Sequence, residues 1–264
     1  MQKLLSQVRR CIRDYQMISP GDRIAVGVSG GKDSLALLVL LAALRQQWPA
    51  PFSLEAVTLD LGYPEMDFAP VEALCRRLAV PYHLVPTQIR EIVFDARQEE
   101  NPCGLCARLR RGALNSKALA LGCNKVALGH HYDDALETFA LSLVYEGRLS
   151  CFLPVTHLDR TGLSAIRPLL YLHEKTIRNF AQRQALPVVC NPCPADKATR
   201  RQEMKELLDM QENAPAANAE MTRRQQVVRR KLRQKSDEYR ETFEPAVNAK
   251  PASRDELELG DRIN

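Results

Sequence analysis

A short glycine-rich segment at residues 29–34, SGGKDS, lies between an apolar stretch and an apolar-rich helix. Free backbone N–H groups and the positive end of a helix dipole favour an anion at such a junction. Lys32 supplies a cation, the glycines let the backbone close around phosphate oxygens, and Ser29 and Ser34 carry hydroxyl donors. The segment therefore predicts a phosphate site. The alternative is a turn that only links a strand to a helix.

This segment differs from the Walker A loop of many nucleotide-binding proteins. That loop has four residues between its first glycine and the Gly-Lys pair, whereas only three separate Gly27 from Gly31 here. The residue after the lysine is the acid Asp33, where a Walker A loop has Ser or Thr. The predicted phosphate site is consequently of another type.

A second loop-to-helix junction carries carboxylates, in the segment GHHYDDALET at residues 129–138. Asp133 and Asp134 stand where a helix is expected to begin, and carboxylates beside a phosphate site can hold the Mg²⁺ that accompanies pyrophosphate. The alternative is that the two are ordinary acidic residues of a helix N-terminus. A third carboxylate, Asp60, follows an apolar strand and is expected at the carboxyl edge of the sheet, where doubly wound folds bind ligands.

Four of the eight cysteines form two pairs at metal-ligand spacing, Cys103 with Cys106 and Cys190 with Cys193. In a chain without a secretory signal, this spacing indicates metal binding rather than a disulfide framework. A four-thiolate zinc site is the first interpretation, and an iron–sulfur site is the alternative. The other cysteines stand singly in helical or apolar contexts typical of core residues. They are Cys11, Cys75, Cys123 and Cys151.

The segments that must position these residues alternate between strands and helices. Strands are expected at residues 24–28, 54–59, 82–86, 125–128 and 164–167. Helices are expected at residues 1–20, 33–46, 69–79, 104–121, 133–145 and 173–184. The alternation predicts an α/β fold with a doubly wound, mostly parallel, Rossmann-like sheet, helices on both faces and a helical C-terminal extension.

The same pattern divides the chain into three regions. Residues 1–20 are expected to form an N-terminal helix, and residues 21–212 one α/β domain that carries the phosphate loop and the metal site. Residues 213–264 are expected to be a linker, a basic helix and a mobile tail.

Composition narrows the class of protein. With 264 residues, 45% hydrophobic and 26% charged, the chain resembles an ordinary globular protein and not a fibrous or wholly disordered one. The longest apolar run, residues 35–44, has about half of the roughly 20 residues that a membrane helix needs. The first residues lack a secretory pattern, so a cytoplasmic location without a membrane partner is expected. The net charge of +5 is concentrated in basic clusters at residues 108–111 and 221–235, which suits nucleic-acid phosphates.

Taken together, the motifs resemble a known family. SGGKDS after an apolar strand resembles the PP-loop of the ATP pyrophosphatases, which cleave ATP between the α and β phosphates, and residues 129–138 resemble the GHxxDDxxET segment of that superfamily. A phosphate site for another nucleotide is the alternative at this point. The order of PGDRIAVGVSGGKDS, NPCGLCARLRRG, KVALGHHYDDALETF, IRPLLY and a late CxxC is similar to the tRNA 2-thiocytidine synthetase family, over about residues 10–205.

This resemblance implies an ATP-dependent tRNA thiolation, in which a base carbonyl is adenylated and its oxygen replaced by sulfur, with ATP, Mg²⁺ and a 4Fe-4S cluster as cofactors. In that family three cysteines hold the cluster and leave one iron open; in this sequence they are Cys103, Cys106 and Cys193. Cys190 is then either outside the ligand set or a fourth ligand. The implied catalytic residues are Lys32, Asp33, Asp134, Cys103, Cys106 and Cys193. The implied nucleotide-binding and Mg²⁺-binding residues are Ser29, Gly30, Gly31, Lys32, Asp33, Ser34, Asp60, Gly129, His130, Asp133, Asp134 and Arg167.

The resemblance also implies partners: tRNA, and a cysteine desulfurase or inorganic sulfide as the sulfur donor, with a homodimer left open. The modified base is not fixed by the sequence. Two other functions compete with thiolation. One is a PP-loop ligase that joins an amine or ammonia to a carbonyl and has a zinc site, and the other is a non-enzymatic regulator that binds nucleotide or a cluster. The carboxyl end, CPADKATRRQEMKELL, matches the family only loosely.

Overall fold

The computed structural model describes residues 1–97, 102–195 and 200–213, with side chains up to residue 208. Within these ranges, the strands are β1 (Arg23–Gly27), β2 (Ser53–Asp60), β3 (Tyr82–Pro86), β4 (Lys125–Ala127), β5 (Val155–Leu158) and β6 (Leu163–Ile166). They form one sheet in the order β3-β2-β1-β4-β6-β5. Every pairing is parallel except the last, in which β5 runs antiparallel to β6.

Helices connect these strands. They are α1 (Gln2–Asp14), α2 (Lys32–Arg45), α3 (Ala69–Arg77), α4 (Pro102–Ala120), α5 (Tyr132–Glu146), α6 (Glu174–Arg183) and α7 (Arg200–Asn213), with a π-helical turn at Glu91–Ala96. Among the described residues, none of these helices combines the length and the apolar character that crossing a bilayer requires.

Helix α2 is the centre of the larger hydrophobic core. It packs on the sheet and against α1 and α6, and its leucines are fully buried on every side of the helix. Burying a leucine stabilises a fold by roughly 1.5–3 kcal/mol, so a helix without a polar face is stable in this position. Because α2 cannot shift without disturbing this packing, the phosphate loop at its N-terminus is held on a rigid element.

Helix α4 covers the other face of the sheet. Its Leu114 and Ala118 pack in a second core cluster with Ala25, Val57 and Val126 from β1, β2 and β4. The first cysteine pair lies in the first turns of this helix, so the sheet also fixes the position of these thiols.

The structure confirms the predicted fold class. The strand at residues 82–86 has the predicted bounds, and most other elements differ by one or two residues. The N-terminal helix ends at Asp14 and not at residue 20, since Gln16 takes a left-handed φ of 48° that breaks the helix. Strand β5 and helix α7 are not among the predicted elements, and the basic helix expected beyond residue 213 lies outside the described residues.

The predicted boundary at residue 20 is not marked by a separate core. Leu5, Val8 and Ile12 of α1 are buried in the same cluster as α2, and Met1–Leu208 form one compact unit. The division into three regions stays a prediction.

Candidate functional site

The phosphate loop of residues 29–34 connects β1 to α2 at the carboxyl edge of the sheet. Its own hydrogen bonds are local: the Ser29 N–H donates to the Ser34 hydroxyl (3.1 Å), and the Ser34 hydroxyl donates to the Gly31 carbonyl (2.9 Å). Gly31 is the N-cap of α2 and has no side chain to cap the helix. The first N–H groups of α2 are therefore available to an anion.

Gly30 joins the phosphate loop to the loop that carries the second cysteine pair. Its φ of +83° disfavours a side chain, and a Cβ at this position would lie 2.9 Å from the Cβ of Val189. The Val189 N–H donates to the Gly30 carbonyl (3.0 Å). The chain immediately before Cys190 is thus fixed on the phosphate loop.

The second loop packs its backbone against the backbone of the first. A Cβ on Gly129 would lie 3.1 Å from the carbonyl carbon of Asp33 and 3.1 Å from the nitrogen of Ser34. His131 then caps α5: its N–H donates to the Asp134 carboxylate (2.9 Å), and the Asp134 N–H donates to His131 Nδ1 (3.4 Å). This reciprocal cap holds Asp134 beside the phosphate loop.

The two histidines of this second loop have different surroundings. His131 is buried, with Nε2 3.4 Å from Asp134 and 3.8 Å from Asp33. Burial lowers the pKa of His131, but the neighbouring carboxylates outweigh it and raise the pKa above its usual value. The ring of His130 contacts the ring of Phe152 in a tilted arrangement, with 5.0 Å between the ring centroids. Burial lowers the pKa of His130 to about 4, so this imidazole is neutral at pH 7.

Lys32 is held between two carboxylates. Its Nζ lies 2.8 Å from Asp33 and 3.1 Å from Glu174, the first residue of α6. Glu174 also accepts hydrogen bonds from Lys205 (2.6 Å) and Arg178 (3.0 Å). Burial raises the pKa of Glu174, but these cations outweigh it and lower the pKa to about 2. Burial likewise lowers the pKa of Lys32, and its two carboxylates raise it above the usual value.

A cation from α7 meets the carboxylates of α5. The Arg201 guanidinium lies 3.5 Å from Asp134 and 4.0 Å from Glu137, and donates to the Thr138 hydroxyl (2.9 Å). Burial raises the pKa of Glu137, as does the charge of Asp134, while Arg201 opposes both. Two carboxylates one helical turn apart are a ligand set that suits Mg²⁺.

One cavity of about 360 Å³ contains these charged groups and the cysteines. Charged side chains line what we call its phosphate end: Lys32, Asp33, His131, Asp134, Glu137, Glu174, Arg201 and Lys205. Sulfur, aromatic and basic side chains line what we call its thiol end: Tyr63, Arg90, Cys103, Cys106, Arg110 and Cys193.

Three of the four paired cysteines line the thiol end. Cys190 is exposed and is not among the lining residues. Burial raises the pKa of Cys106, and the positive charge of Arg110 opposes that effect. No three His, Cys, Asp or Glu side chains of the described residues are grouped around one metal-ion position. The structure therefore brings Cys103, Cys106 and Cys193 to one cavity and leaves Cys190 outside it.

Three of the predicted cofactor-binding residues make contacts with the protein backbone. Asp60 accepts a hydrogen bond from the N–H two residues later (2.9 Å), and Asp133 accepts from the Glu174 N–H (2.7 Å) at the start of α6. Arg167 donates to the Leu153 carbonyl (2.6 Å). Neither these three nor His130 line the cavity, so their roles in cofactor binding stay predictions.

Sequence reasoning missed several residues of the phosphate end. Glu137 follows Asp134 by three positions and Lys205 follows Arg201 by four, spacings that place each pair on one helix face and that a helical analysis can detect. Glu174 has an i, i+4 partner in Arg178, but its contacts with Lys32 and Lys205 join positions distant in sequence and have no such signal.

Known proteins are similar in sequence to this chain over most of its length. The PP-loop domain family matches residues 2–211. A tRNA-cytidine(32) 2-sulfurtransferase from Geobacter sulfurreducens is 40% identical over 227 residues, which cover 84% of this chain and 88% of the relative. The enzyme of the same name from Pelobacter propionicus is 42% identical over 223 residues, 83% of each chain.

A solved structure shares the fold. The U34-tRNA thiolase NcsA from Methanococcus maripaludis, determined with its [4Fe-4S] cluster, aligns with a TM-score of 0.65 over 86% of this chain and 78% of its own. The two sequences are 24% identical, so this likeness shows a shared fold and nothing more specific.

The contact between the two loops gives a first prediction. Gly129→Ala places a methyl group against the backbone of Asp33 and Ser34, which must move apart. The two loops must return to their native separation to bind ATP, and overpacking of this kind costs roughly 1–3 kcal/mol, so ATP affinity should fall by about 5- to 150-fold. Calorimetric titration of ATP measures this. Gly112→Ala in α4 is the matched control, since its Cβ has no atom within 4 Å; equal affinities in both variants would contradict the contact.

A second prediction concerns acid stability. Glu174 has a pKa of about 2 in the folded chain, below its usual 4.5, so its ion pairs stabilise the fold fully above pH 4.5 and less as pH falls towards 2. Glu174→Gln should therefore lower the free energy of unfolding by a constant amount between pH 7 and 5, and by a shrinking amount below pH 4.5. Urea unfolding at several pH values measures this. The exposed pair of Glu72 and Arg76 supplies the control, Glu72→Gln, which should change little at any pH.

Proposed function

The chain belongs to the tRNA-cytidine(32) 2-sulfurtransferase family of PP-loop proteins, and on this premise we propose that it is an ATP-dependent tRNA sulfurtransferase acting on cytidine 32. The observation that carries the proposal is the single cavity with a phosphate loop at one end and three cysteine thiols at the other. Thiolation needs an activated oxygen and a sulfur at the same carbon. A cavity of this kind brings the two chemistries to one place.

The first step is adenylation of the base. The O2 oxygen of cytosine attacks the α-phosphorus of ATP, a P–O bond forms, and pyrophosphate leaves with the electrons of the broken α–β bond. Lys32 and the N–H groups at the start of α2 stabilise the negative charge on the phosphates. Asp134 and Glu137 are the side chains that would hold Mg²⁺ against the leaving pyrophosphate.

The second step replaces the adenylated oxygen. Hydrosulfide attacks C2 of the base, the C–O bond breaks, and the oxygen leaves as part of AMP. The sulfur stays on the carbon as the thiocarbonyl and releases its proton to solvent. The thiol end is the place for this sulfur, and Arg90 and Arg110 line it as positive charges. Tyr63 and Val93 also line the cavity and are the side chains that would keep water from C2.

The donor set fits an iron–sulfur cluster with an open iron. Cys103, Cys106 and Cys193 line the cavity, while Cys190, which is exposed like Cys103, does not. When bound, a [4Fe-4S] cluster supplies an iron without a protein ligand, at which sulfur can be held close to the base. The fold is shared with a thiolase solved with its [4Fe-4S] cluster, which supports this choice over a closed zinc site.

The partners follow from the reaction. The tRNA phosphates face a basic surface on α4, where Arg108 and Arg111 are exposed. The second basic cluster, residues 221–235, lies outside the described residues. Inorganic sulfide, or a cysteine desulfurase whose persulfide is reduced to hydrosulfide by a thiol reductant, supplies the sulfur, and the homodimer stays a prediction.

The phosphate loop gives a third prediction. Lys32→Ala and Asp33→Ala should each lower ATP-dependent thiolation by about a hundredfold or more, while iron content and thermal unfolding stay close to wild type, because both side chains face the cavity and not the core. Mass spectrometry of 2-thiocytidine in tRNA measures the product. Lys175→Ala removes an exposed lysine next to Glu174 and is the matched control. Near-normal thiolation by Lys32→Ala would exclude the phosphate-loop role.

The cysteines give a fourth prediction. Cys103→Ala, Cys106→Ala and Cys193→Ala should each lose most iron and all thiolation. Cys190→Ala, in the same loop as Cys193, should keep both. Anaerobic analysis of iron, zinc and acid-labile sulfide in the four variants and wild type measures this. Equal loss of iron in Cys190→Ala would overturn the three-ligand assignment, and a wild type containing zinc and no labile sulfide would favour the ligase alternative.

A further inference from the structure

Helix α7 presents two cations to the phosphate end of the cavity. Arg201 and Lys205 are four residues apart, so they lie on one face of the helix, and both line the cavity. The neighbouring Arg200 points elsewhere: its guanidinium lies over the ring of Tyr145, 4.9 Å from the centroid. The helix thus separates its cations, two towards the phosphate end and one towards the surface of α5.

Each of the two cations contacts carboxylates at the phosphate end of the cavity. Arg201 contacts Asp134 and Glu137, the carboxylates proposed for Mg²⁺. Lys205 lies 2.6 Å from one carboxylate oxygen of Glu174, and Lys32 of the phosphate loop lies 3.1 Å from the other. The carboxylate of Glu174 therefore holds a phosphate-loop cation and an α7 cation side by side, as a bridging phosphate would.

These cations offset negative charge at the phosphate end of the cavity. Asp33, Asp134, Glu137 and Glu174 line it, and Lys32 is already paired with two of them. A triphosphate that enters beside four carboxylates meets repulsion, which Lys32 alone does not offset. Among the described residues that line the cavity, Arg201 and Lys205 are the remaining lysine and arginine side chains at this end, beside the imidazole of His131, since Arg90 and Arg110 lie at the thiol end.

We propose that Arg201 and Lys205 are ATP-binding residues, which leave their carboxylate partners and bind the β- and γ-phosphate oxygens when ATP enters. The inference rests on the proposed function only in taking ATP as the nucleotide. It gives a role to the carboxyl-terminal segment that matches the family loosely. It also places phosphate-binding residues on the segment that follows the Cys193 loop, so the nucleotide and the thiol end are held by one stretch of chain.

The test measures binding of a series of ligands to the full chain, purified without oxygen and in the presence of Mg²⁺. The ligands are ATP, inorganic pyrophosphate and AMP, and the variants are Arg201→Gln and Lys205→Gln, with Arg200→Gln as the matched control. If the two side chains bind the β- and γ-phosphates, each variant should bind ATP and pyrophosphate about tenfold or more weakly and AMP nearly as wild type does. Arg200→Gln should bind all three ligands normally, and Lys205→Arg should restore most of the loss.

The outcomes separate this inference from the proposed function. Normal ATP and pyrophosphate binding by both variants overturns the inference and leaves the proposed function intact. An equal loss of AMP and ATP affinity also overturns it, because that result indicates a distorted site and not lost phosphate contacts. A wild-type chain that does not bind ATP overturns both.

Discussion

The Val189 N–H donates a 3.0 Å hydrogen bond to the carbonyl of Gly30, and this bond joins the loop of the second cysteine pair to the phosphate loop. It is possible only because Gly30 has a left-handed φ and no side chain, since a Cβ would collide with Val189. The phosphate loop is in turn fixed by α2, whose apolar faces are buried between the sheet, α1 and α6. The thiol of Cys193 and the cation of Lys32 therefore line one cavity because both are tied to the same rigid helix start.

Charge neutralisation is the second constraint. The acidic and basic groups of the phosphate end pair with one another: Lys32 and Lys205 share Glu174, and Arg201 lies against Asp134 and Glu137. The low pKa of Glu174 reflects how strongly the cations hold this carboxylate. Binding a polyphosphate is then an exchange of partners, in which cations move from carboxylates to phosphate oxygens and carboxylates become available to Mg²⁺.

Much of this arrangement is readable from the sequence, and the reason differs from residue to residue. The phosphate loop and the cysteine pairs have local signatures, because their chemistry needs particular residue types at short spacing. The fold class is predictable because strands and helices have short apolar repeats of their own, and their alternation along the chain indicates a parallel sheet. The contacts of Glu174 with Lys32 and Lys205, and of Arg201 with Asp134, join positions far apart in the sequence. The helical spacing of Arg201 and Lys205 shows that they share a face of α7, but it does not show which carboxylates that face meets. His131 lines the cavity and His130 does not. The sequence does not distinguish them, because both follow Gly129 in the motif; only the cap that His131 makes on α5 separates their positions.

In the proposed reaction, the phosphate end activates the same base oxygen that the thiol end replaces with sulfur. Isotope transfer follows that oxygen. A tRNA substrate carrying ¹⁸O at O2 of cytidine 32 is thiolated with unlabelled ATP, and the AMP released is analysed by mass spectrometry. If O2 is adenylated as proposed, the AMP carries one ¹⁸O atom for each 2-thiocytidine formed, because the base oxygen leaves on the α-phosphate. Thiolated tRNA accompanied by unlabelled AMP, with the ¹⁸O in water, would contradict it.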